Sequence, residues 1–183
     1  PADFLVAQIE TVLDDLPDGK LMVACTDSNA ADVIDPATGK SVRRVPLGEQ
    51  PEAFDVSPDG KTIYVSNEDE AEASFVDAAS GKVLKSIKVG QEPEGVKVSA
   101  DGKTLYVTSE VASMIHVIDV ASAKVLKNVK VGKRPRRMAI TPDGKELWVT
   151  NELGSSVSII STADHSVIGE IKFAVKGARA EDI

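Results

Sequence analysis

The chain has 183 residues, 42% of them hydrophobic and 27% charged, which is typical of a globular domain with a substantial core. Its formal net charge of −8 argues against nucleic-acid binding, because that requires clustered Lys and Arg. No apolar run is long enough to span a membrane, and the single cysteine, Cys25, excludes an internal disulfide.

The first predicted element, at 3–16, has two interpretations. Its apolar residues recur at helical spacing behind Asp3, as in a capped helix. However, Pro17-Asp18-Gly19 precedes the next Pro-Asp-Gly turn by 41 residues, and this register predicts a strand over 10–16. Residues 1–19 are therefore a lead-in strand or a short helix, and we favour the strand.

From Lys20 onward the sequence repeats with a period of about 42 residues. Two copies, 61–102 and 103–144, are complete, 20–60 lacks one residue, and 145–183 loses the pattern after Phe173. A period of this length with four strand-like segments per copy is typical of β-propeller blades. The sequence predicts one all-β domain over 1–183, with about four blades of four antiparallel strands.

Each copy contains four runs in which Val, Ile, Tyr or Phe alternate with polar residues. In the second copy the predicted strands lie near 61–67, 73–78, 83–89 and 94–99, and the same set recurs 42 residues later. Pro58-Asp59-Gly60 and Pro142-Asp143-Gly144 place Asp-Gly where a hairpin loop needs positive φ.

Ring closure admits three arrangements, because an open stack of blades leaves strand edges exposed. The chain is part of a longer ring, closes alone with four blades, or meets a second copy in a homodimer of eight blades. The pattern lost after Phe173 favours the longer ring.

Several motifs carry a resemblance to a known family: Tyr64-Val65-Ser66-Asn67, Tyr106-Val107-Thr108-Ser109, Trp148-Val149-Thr150-Asn151 and the Pro-Asp-Gly-Lys turns. They resemble the YVTN family of β-propeller repeats over about 45–173. They are similar, more narrowly, to the propeller proteins associated with pyrroloquinoline-quinone-dependent alcohol catabolism. The resemblance implies an exported protein, periplasmic or extracellular, with a seven-bladed ring.

Candidate site residues follow from blade topology, since two sets of loops emerge on one face of a propeller. One set carries equivalent residues 42 positions apart, Glu52, Glu94 and Arg136, with Arg134 and Arg137 beside the last. The other set carries Glu68, Glu110 and Glu152, again 42 apart. We predict that these eight residues line a charged channel mouth.

Three interpretations of that mouth remain open. The charges are solvated turn residues without a function, or the arginines bind an anionic ligand or a partner protein by bidentate contacts. The third is Ca²⁺ on Glu68, Asp69, Glu70 and Glu72, which lack the spaced pattern of a calcium loop. We predict no metal site and no cofactor, and we expect Arg136 to be a surface charge unimportant for folding.

Catalytic motifs are few. His116 is predicted to be an ordinary strand histidine and His165 an exposed turn histidine, and neither has metal-ligand neighbours in sequence. Tyr64, Tyr106 and Trp148 occupy equivalent strand positions and are predicted to be buried between blades.

The predicted function is a binding or scaffolding propeller of the bacterial cell envelope, accessory to quinoprotein alcohol oxidation and without chemistry of its own. One alternative is a propeller enzyme of the lactonase or lyase type, with its site at the channel mouth. Another is a surface-layer repeat protein. Fold alone does not choose among them.

Overall fold

A computed structural model describes residues 13–16, 18–25 and 28–173. In this part of the chain all the regular elements are strands, arranged as four sheets of four antiparallel strands. The predicted all-β fold with about four blades is confirmed. Within the described residues, no helix is long and apolar enough to cross a membrane.

The strands follow the chain from the inner to the outer edge of each blade. The first blade comprises β1 (Leu13–Asp15), β2 (Leu21–Cys25), β3 (Ala30–Asp35) and β4 (Lys40–Pro46). The second comprises β5 (Pro51–Val56), β6 (Thr62–Asn67), β7 (Glu72–Asp77) and β8 (Val83–Lys88). The third comprises β9 (Pro93–Val98), β10 (Thr104–Ser109), β11 (Met114–Asp119) and β12 (Lys124–Lys130). The fourth comprises β13 (Pro135–Ile140), β14 (Glu146–Asn151), β15 (Ser156–Ser161) and β16 (Val167–Lys172).

The strand predictions for the second copy agree with β6, β7, β8 and β9 to within one residue at each end. Each sequence repeat therefore supplies the three outer strands of one blade and the innermost strand of the next. At the start of the chain, β1 pairs with β2, which confirms a strand at Leu13–Asp15. Residues 1–12, which hold the rest of the predicted helix or strand, and the side chain of Cys25 lie outside the described part.

The turns between the first two strands of each blade are closed by an aspartate. Asp59 Oδ1 accepts hydrogen bonds from Ser57 Oγ at 2.7 Å and from Lys61 N at 3.1 Å. The hydrogen bond from Ser57 and, to a smaller extent, the hydrogen bond from Lys61 lower the pKa of Asp59. Gly60 follows at φ 71°, a conformation that a side chain disfavours. Asp101 and Asp143 make the same contacts in the next two blades.

The apolar core lies between blades. Each blade has a leading face, toward the preceding blade, and a trailing face, toward the following one. At the junction of the first two blades, Met22 and Val33 on a trailing face pack with Ile63 and Val65 on a leading face. The next junctions pair Tyr64 and Phe75 with Leu105 and Val107, and then Tyr106 and Val117 with Leu147 and Val149.

Burial of a strand depends on its place in the stack. All six residues of β5 are buried, because blades cover both faces of the second sheet. In β14 of the fourth blade, buried and more exposed residues alternate. Trp148 lies on its trailing face and is 37% exposed, whereas Tyr106, its equivalent, is 2% exposed. The prediction that Trp148 is buried between blades is wrong, since no described residues form a blade beyond the fourth.

Candidate functional site

The loops that precede the innermost strands and the loops between the two middle strands lie together, as predicted. Backbone hydrogen bonds join them directly: Glu68 N donates to Gln50 O at 3.2 Å, Glu110 N to Glu92 O at 3.0 Å, and Glu152 N to Arg134 O at 2.9 Å. We call this surface the loop face. It comprises 47–52, 68–72, 89–94, 110–114, 131–137 and 152–155.

The loop before the innermost strand of the second, third and fourth blades contains one non-glycine residue in the left-handed region. Gln50, Glu92 and Arg134 have φ values of 42°, 50° and 55°. This conformation is uncommon for residues other than Gly, Asn or Asp, and its recurrence shows that the hydrogen-bonded loop pair imposes it. The loop pair therefore fixes the backbone conformation of Arg134. It thereby also fixes the direction of the Cα–Cβ bond from which the side chain extends.

Five of the eight predicted site residues form one ion-pair network between the third and fourth blades. Arg136 Nη2 lies 2.9 Å from Glu94 Oε1, and Arg136 Nε lies 3.2 Å from Glu110 Oε1. Arg136 Nη1 lies 3.3 Å from Glu152 Oε2. Arg134 Nε lies 2.6 Å from Glu110 Oε2 and 3.2 Å from Glu152 Oε2. Three carboxylates therefore share two guanidinium groups.

Two glutamates of this network are buried. Glu94 and Glu110 are 4% and 5% exposed, and no described residue forms a hydrogen bond with the buried atoms Glu94 Oε2 and Glu110 Oε1. The contact of Glu110 Oε1 with Arg136 is thus an ion pair without hydrogen-bond alignment. A buried carboxylate with an unsatisfied oxygen is costly, so these glutamates depend on the arginines that face them.

The charges of the network shift one another's pKa values. Burial lowers the pKa of Arg136, but Glu94, Glu110 and Glu152 together outweigh burial and raise it above its usual value. Burial raises the pKa of Glu110, against the opposing effects of Arg134 and Arg136. The hydrogen bond to Glu110 raises the pKa of Arg134. Both arginines are therefore held as cations by carboxylates of this chain.

The other three predicted residues lie elsewhere on or near the loop face. Glu52 is buried in β5, at the position equivalent to Glu94. Glu68 begins the corresponding loop of the second blade and is half-buried. Arg137 does not belong to the network: its backbone N–H bonds to Thr150, and its exposed side chain lines a cleft on the trailing face of the fourth blade. Of the three arginines that were predicted at the channel mouth, Arg134 and Arg136 belong to the network.

The loop face carries many more acidic than basic residues. It holds ten Asp and Glu against four Lys and Arg, and two of those four are Arg134 and Arg136. The acidic residues crowd the second blade, where Glu49, Asp69, Glu70 and Glu72 meet. Burial raises the pKa of Glu70, and Glu49, Glu72 and Asp69 raise it further. The potential at this end of the loop face is negative.

Both histidines have structural partners. Gly90 N donates to His116 Nε2 at 2.9 Å, so Nδ1 carries the proton and bonds to Asn128 Oδ1 at 2.8 Å. Burial lowers the pKa of His116, which agrees with a neutral ring. His165 is half-buried rather than exposed, and its ring lies 5.8 Å from that of Tyr106, so its prediction is wrong. Among the described residues, no three His, Cys, Asp or Glu side chains are grouped to hold a metal ion.

The sequence analysis did not predict a set of hydroxyl groups that form hydrogen bonds between neighbouring blades. Ser66 Oγ donates to Glu94 O at 2.8 Å, and Thr108 Oγ1 donates to Arg136 O at 3.2 Å, each across a blade junction. These bonds position the backbone of the two residues that meet in the network. A hydroxyl residue recurring at 66, 108 and 150 is the signal that identifies this position.

Comparison with known proteins assigns the fold to a family. The model of the YNCE-like β-propeller family matches residues 11–98 and 93–141. The chain belongs to the YNCE-like β-propeller family. The predicted assignment to a β-propeller repeat family is thereby confirmed, and the narrower link to pyrroloquinoline quinone stays a prediction. No curated protein matches the chain.

Solved structures also resemble this YNCE-like propeller. Hydrazine synthase of Kuenenia stuttgartiensis is similar, with a TM-score of 0.79 and 34% identity over 86% of this chain. The present chain spans 47% of the length of that protein's chain. The similarity therefore establishes a shared propeller architecture.

Proposed function

We propose that this protein is a non-catalytic propeller that binds a basic surface of a partner protein through its loop face. The observation that carries the proposal is that Arg134 and Arg136 are already neutralised by Glu94, Glu110 and Glu152. The remaining charge of the loop face is acidic, and lysine or arginine side chains complement it.

The second blade is the best-supported contact point for such a partner. Burial raises the pKa of Glu70, and the neighbouring charges of Glu49, Glu72 and Asp69 raise it further, so these carboxylates repel one another. A cation placed among them would relieve this repulsion, and the gain contributes directly to binding. Part of it is already relieved by Lys88, whose Nζ lies 3.1 Å from Glu72 Oε1.

A small anionic ligand is less well supported by this geometry. Such a ligand would have to displace carboxylates that face Arg136 from three sides. Displacement would leave Glu94 and Glu110 buried without a positive partner. Burying an unpaired ion costs several kcal/mol, which would weaken binding of the ligand by that amount. Of the two partners that the sequence left open, the protein partner is the one we retain.

We place this binding function in the periplasm or outside the cell, accessory to quinoprotein alcohol oxidation. The support is the resemblance of the repeat motifs around Tyr64, Tyr106 and Trp148 to propellers associated with that metabolism. The hydrazine synthase similarity contributes the fold to this proposal and not a reaction.

A charge-reversal experiment tests the acidic contact. Glu70→Lys places a cation at the centre of the acidic group, and we expect about tenfold weaker partner binding, equivalent to ~1.4 kcal/mol. The partner is captured from an envelope extract with immobilised wild type and identified. Its affinity is then measured by titration at two salt concentrations, and we expect weaker binding at the higher one.

Glu170→Lys is the matched control, because it makes the same change of charge on β16, away from the loop face. It should bind the partner as wild type does. Equal affinity of wild type, Glu70→Lys and Glu170→Lys would refute the proposal, as would a captured partner whose affinity does not depend on salt.

A further inference from the structure

The loop face is acidic at the second blade and more apolar at the third and fourth. In the loop between the two middle strands, the equivalent residues, 42 apart, are Asp69, Val111 and Leu153. Asp69 is exposed among other acidic residues, whereas Val111 is 58% exposed and Leu153 is 49% exposed. In the described part of the loop face, Val111 and Leu153 are the large hydrophobic residues that are exposed.

These two hydrophobic residues line one cleft, to which two neighbouring blades contribute. Val111 comes from the third blade and Leu153 from the fourth, and the loop that joins these blades adds Lys133 and Arg134. The cleft, which we call the loop-face cleft, has a volume of about 510 Å³. Apolar residues that are grouped in a cleft and bordered by charges are typical of a contact site, whereas single exposed ones are not.

Arg134 offers this cleft a flat surface rather than a free charge. Its Nε donates to Glu110 Oε2 at 2.6 Å and lies 3.2 Å from Glu152 Oε2, and its side chain is 40% exposed. A hydrogen bond from Nε lies in the guanidinium plane, so it occupies an edge of the group and not a face. Guanidinium faces are weakly hydrated and stack on aromatic rings. The chemistry of the cleft therefore suits an aromatic side chain.

Backbone hydrogen bonds connect the loop-face cleft to the acidic second blade. Val89 N donates to Ala71 O at 3.0 Å beside the acidic residues, and Glu110 N donates to Glu92 O at 3.0 Å beside the cleft. One loop, 89–94, makes both bonds, and its exposed Glu92 lines the cleft. The acidic surface therefore continues to the border of the cleft. Because these loops are held by the fold, less conformational entropy is lost when a partner binds.

We propose that the loop-face cleft binds an aromatic side chain of the partner protein, which stacks on Arg134 and packs against Val111 and Leu153. A basic residue of the same partner segment contacts Glu92 or the acidic group around Glu70. The apolar walls and the guanidinium favour the ring, and the acidic border favours the neighbouring cation. The inference rests on the proposed function, because it specifies the chemistry of the partner segment that the loop face binds.

Two synthetic peptides test the cleft without the partner. The tripeptide amide Lys-Phe-Lys carries the aromatic ring, and Lys-Leu-Lys is the matched probe with the same charge and an aliphatic side chain. Each is titrated into isotopically labelled protein, and the backbone amide signals of Val111 and Leu153 are followed by NMR. We expect both signals to shift and the Kd to be several-fold lower for the phenylalanine peptide. Equal affinities, or no shift at these two residues, would overturn the inference.

Arg134→Lys tests the stacking surface, because it keeps the charge and removes the guanidinium plane. The preference for the phenylalanine peptide over the leucine peptide should disappear, while the leucine peptide binds as before. Urea unfolding of the variant shows separately whether the ion-pair network still supports the fold. A folded Arg134→Lys protein that keeps the full preference would show that the ring does not stack on Arg134.

Val111→Ser combined with Leu153→Ser tests the apolar walls with the captured partner. We expect about tenfold weaker binding of the partner and of the phenylalanine peptide, since apolar anchors dominate contact energies. The salt dependence of partner binding should stay as in wild type, because no charge changes. Leu126→Ser is the matched control, since Leu126 is 61% exposed on β12, away from the loop face, and should bind as wild type does.

The variants separate this inference from the proposed function. If Glu70→Lys weakens partner binding and the double serine variant does not, the acidic contact is supported and the aromatic anchor is overturned. If partner binding is independent of salt and of Glu70→Lys, yet the double serine variant loses both the partner and the phenylalanine peptide, the aromatic anchor is supported and the acidic contact is overturned.

Discussion

At the residue scale, Arg136 joins the third and fourth blades. Its guanidinium contacts Glu94 and Glu110 of the third blade and Glu152 of its own. The sequence led us to expect a surface charge, but the side chain is only 26% exposed and faces carboxylates that are almost fully buried. Its importance for folding comes from these partners, because an unpaired buried carboxylate is expensive.

We predict that Arg136→Met lowers the free energy of unfolding by about 3 kcal/mol at neutral pH, the cost of breaking a buried ion pair. Arg137→Met is the matched control on the next residue, which is exposed and outside the network, and should change stability by less than ~0.5 kcal/mol. Urea unfolding measures both. Equal effects of the two variants would contradict the structural assignment.

The loss of stability in the Arg136→Met variant should depend on pH. Burial raises the pKa of Glu110 in the folded state, so its contribution to stability is present below the usual glutamate pKa and lost as pH rises through the folded value. Without Arg136 the pKa of Glu110 rises further. The stability difference between wild type and Arg136→Met should therefore be smallest in acid and grow toward neutral pH.

At the scale of the strand, a hydroxyl on the second strand of a blade fastens the first strand of the next. Gly95 N donates to Thr108 Oγ1, and Thr108 Oγ1 donates to Arg136 O across the junction. The pairing of β9 with β10 shifts register beside Gly95, and the pairing of β13 with β14 shifts register beside Arg136, so the hydroxyl bonds backbone groups at two irregular positions. Within the described part of the chain, the Thr150 hydroxyl of the fourth blade forms hydrogen bonds with the backbone of Arg137 in its own blade.

We predict that Thr108→Val destabilises the protein by about 2 kcal/mol, because it leaves a buried N–H and a buried C=O unsatisfied. Thr150→Val makes the same replacement where the hydroxyl is exposed and should cost less than ~1 kcal/mol. Chemical denaturation of both variants measures the difference. Two equal losses would indicate that the cross-blade bond adds nothing.

At the scale of the whole molecule, the place of a blade in the stack decides what its residues do. Tyr64, Tyr106 and Trp148 are equivalent in sequence, yet the first two are 2% exposed and Trp148 is 37% exposed. Covering blades enclose the two tyrosines. No described residues cover the trailing face of the fourth blade, so Trp148 on that face is accessible.

We predict that Tyr106→Ala lowers the free energy of unfolding by about 3–5 kcal/mol, as large truncations in a core do, whereas Trp148→Ala lowers it by less than ~1 kcal/mol. Urea unfolding of both variants measures the difference. Trp148→Ala as damaging as Tyr106→Ala would show that another part of the chain covers Trp148.

The sequence by itself determined the architecture, because alternation with period two fixes strand faces and the 42-residue period fixes their equivalence. It also determined that Glu94, Glu110, Glu152, Arg134 and Arg136 lie on one side of the blades, since equivalent residues of a repeat occupy equivalent places.

Only the tertiary structure decided which of these charges meet. Arg136 and Arg137 are neighbours in sequence, but strand geometry turns one toward three carboxylates and the other onto an uncovered face. The tertiary structure also decided that Trp148 is exposed while Tyr106 is buried. The physical reason is that a repeat pattern specifies what each blade presents, whereas burial and charge pairing depend on the blade beside it.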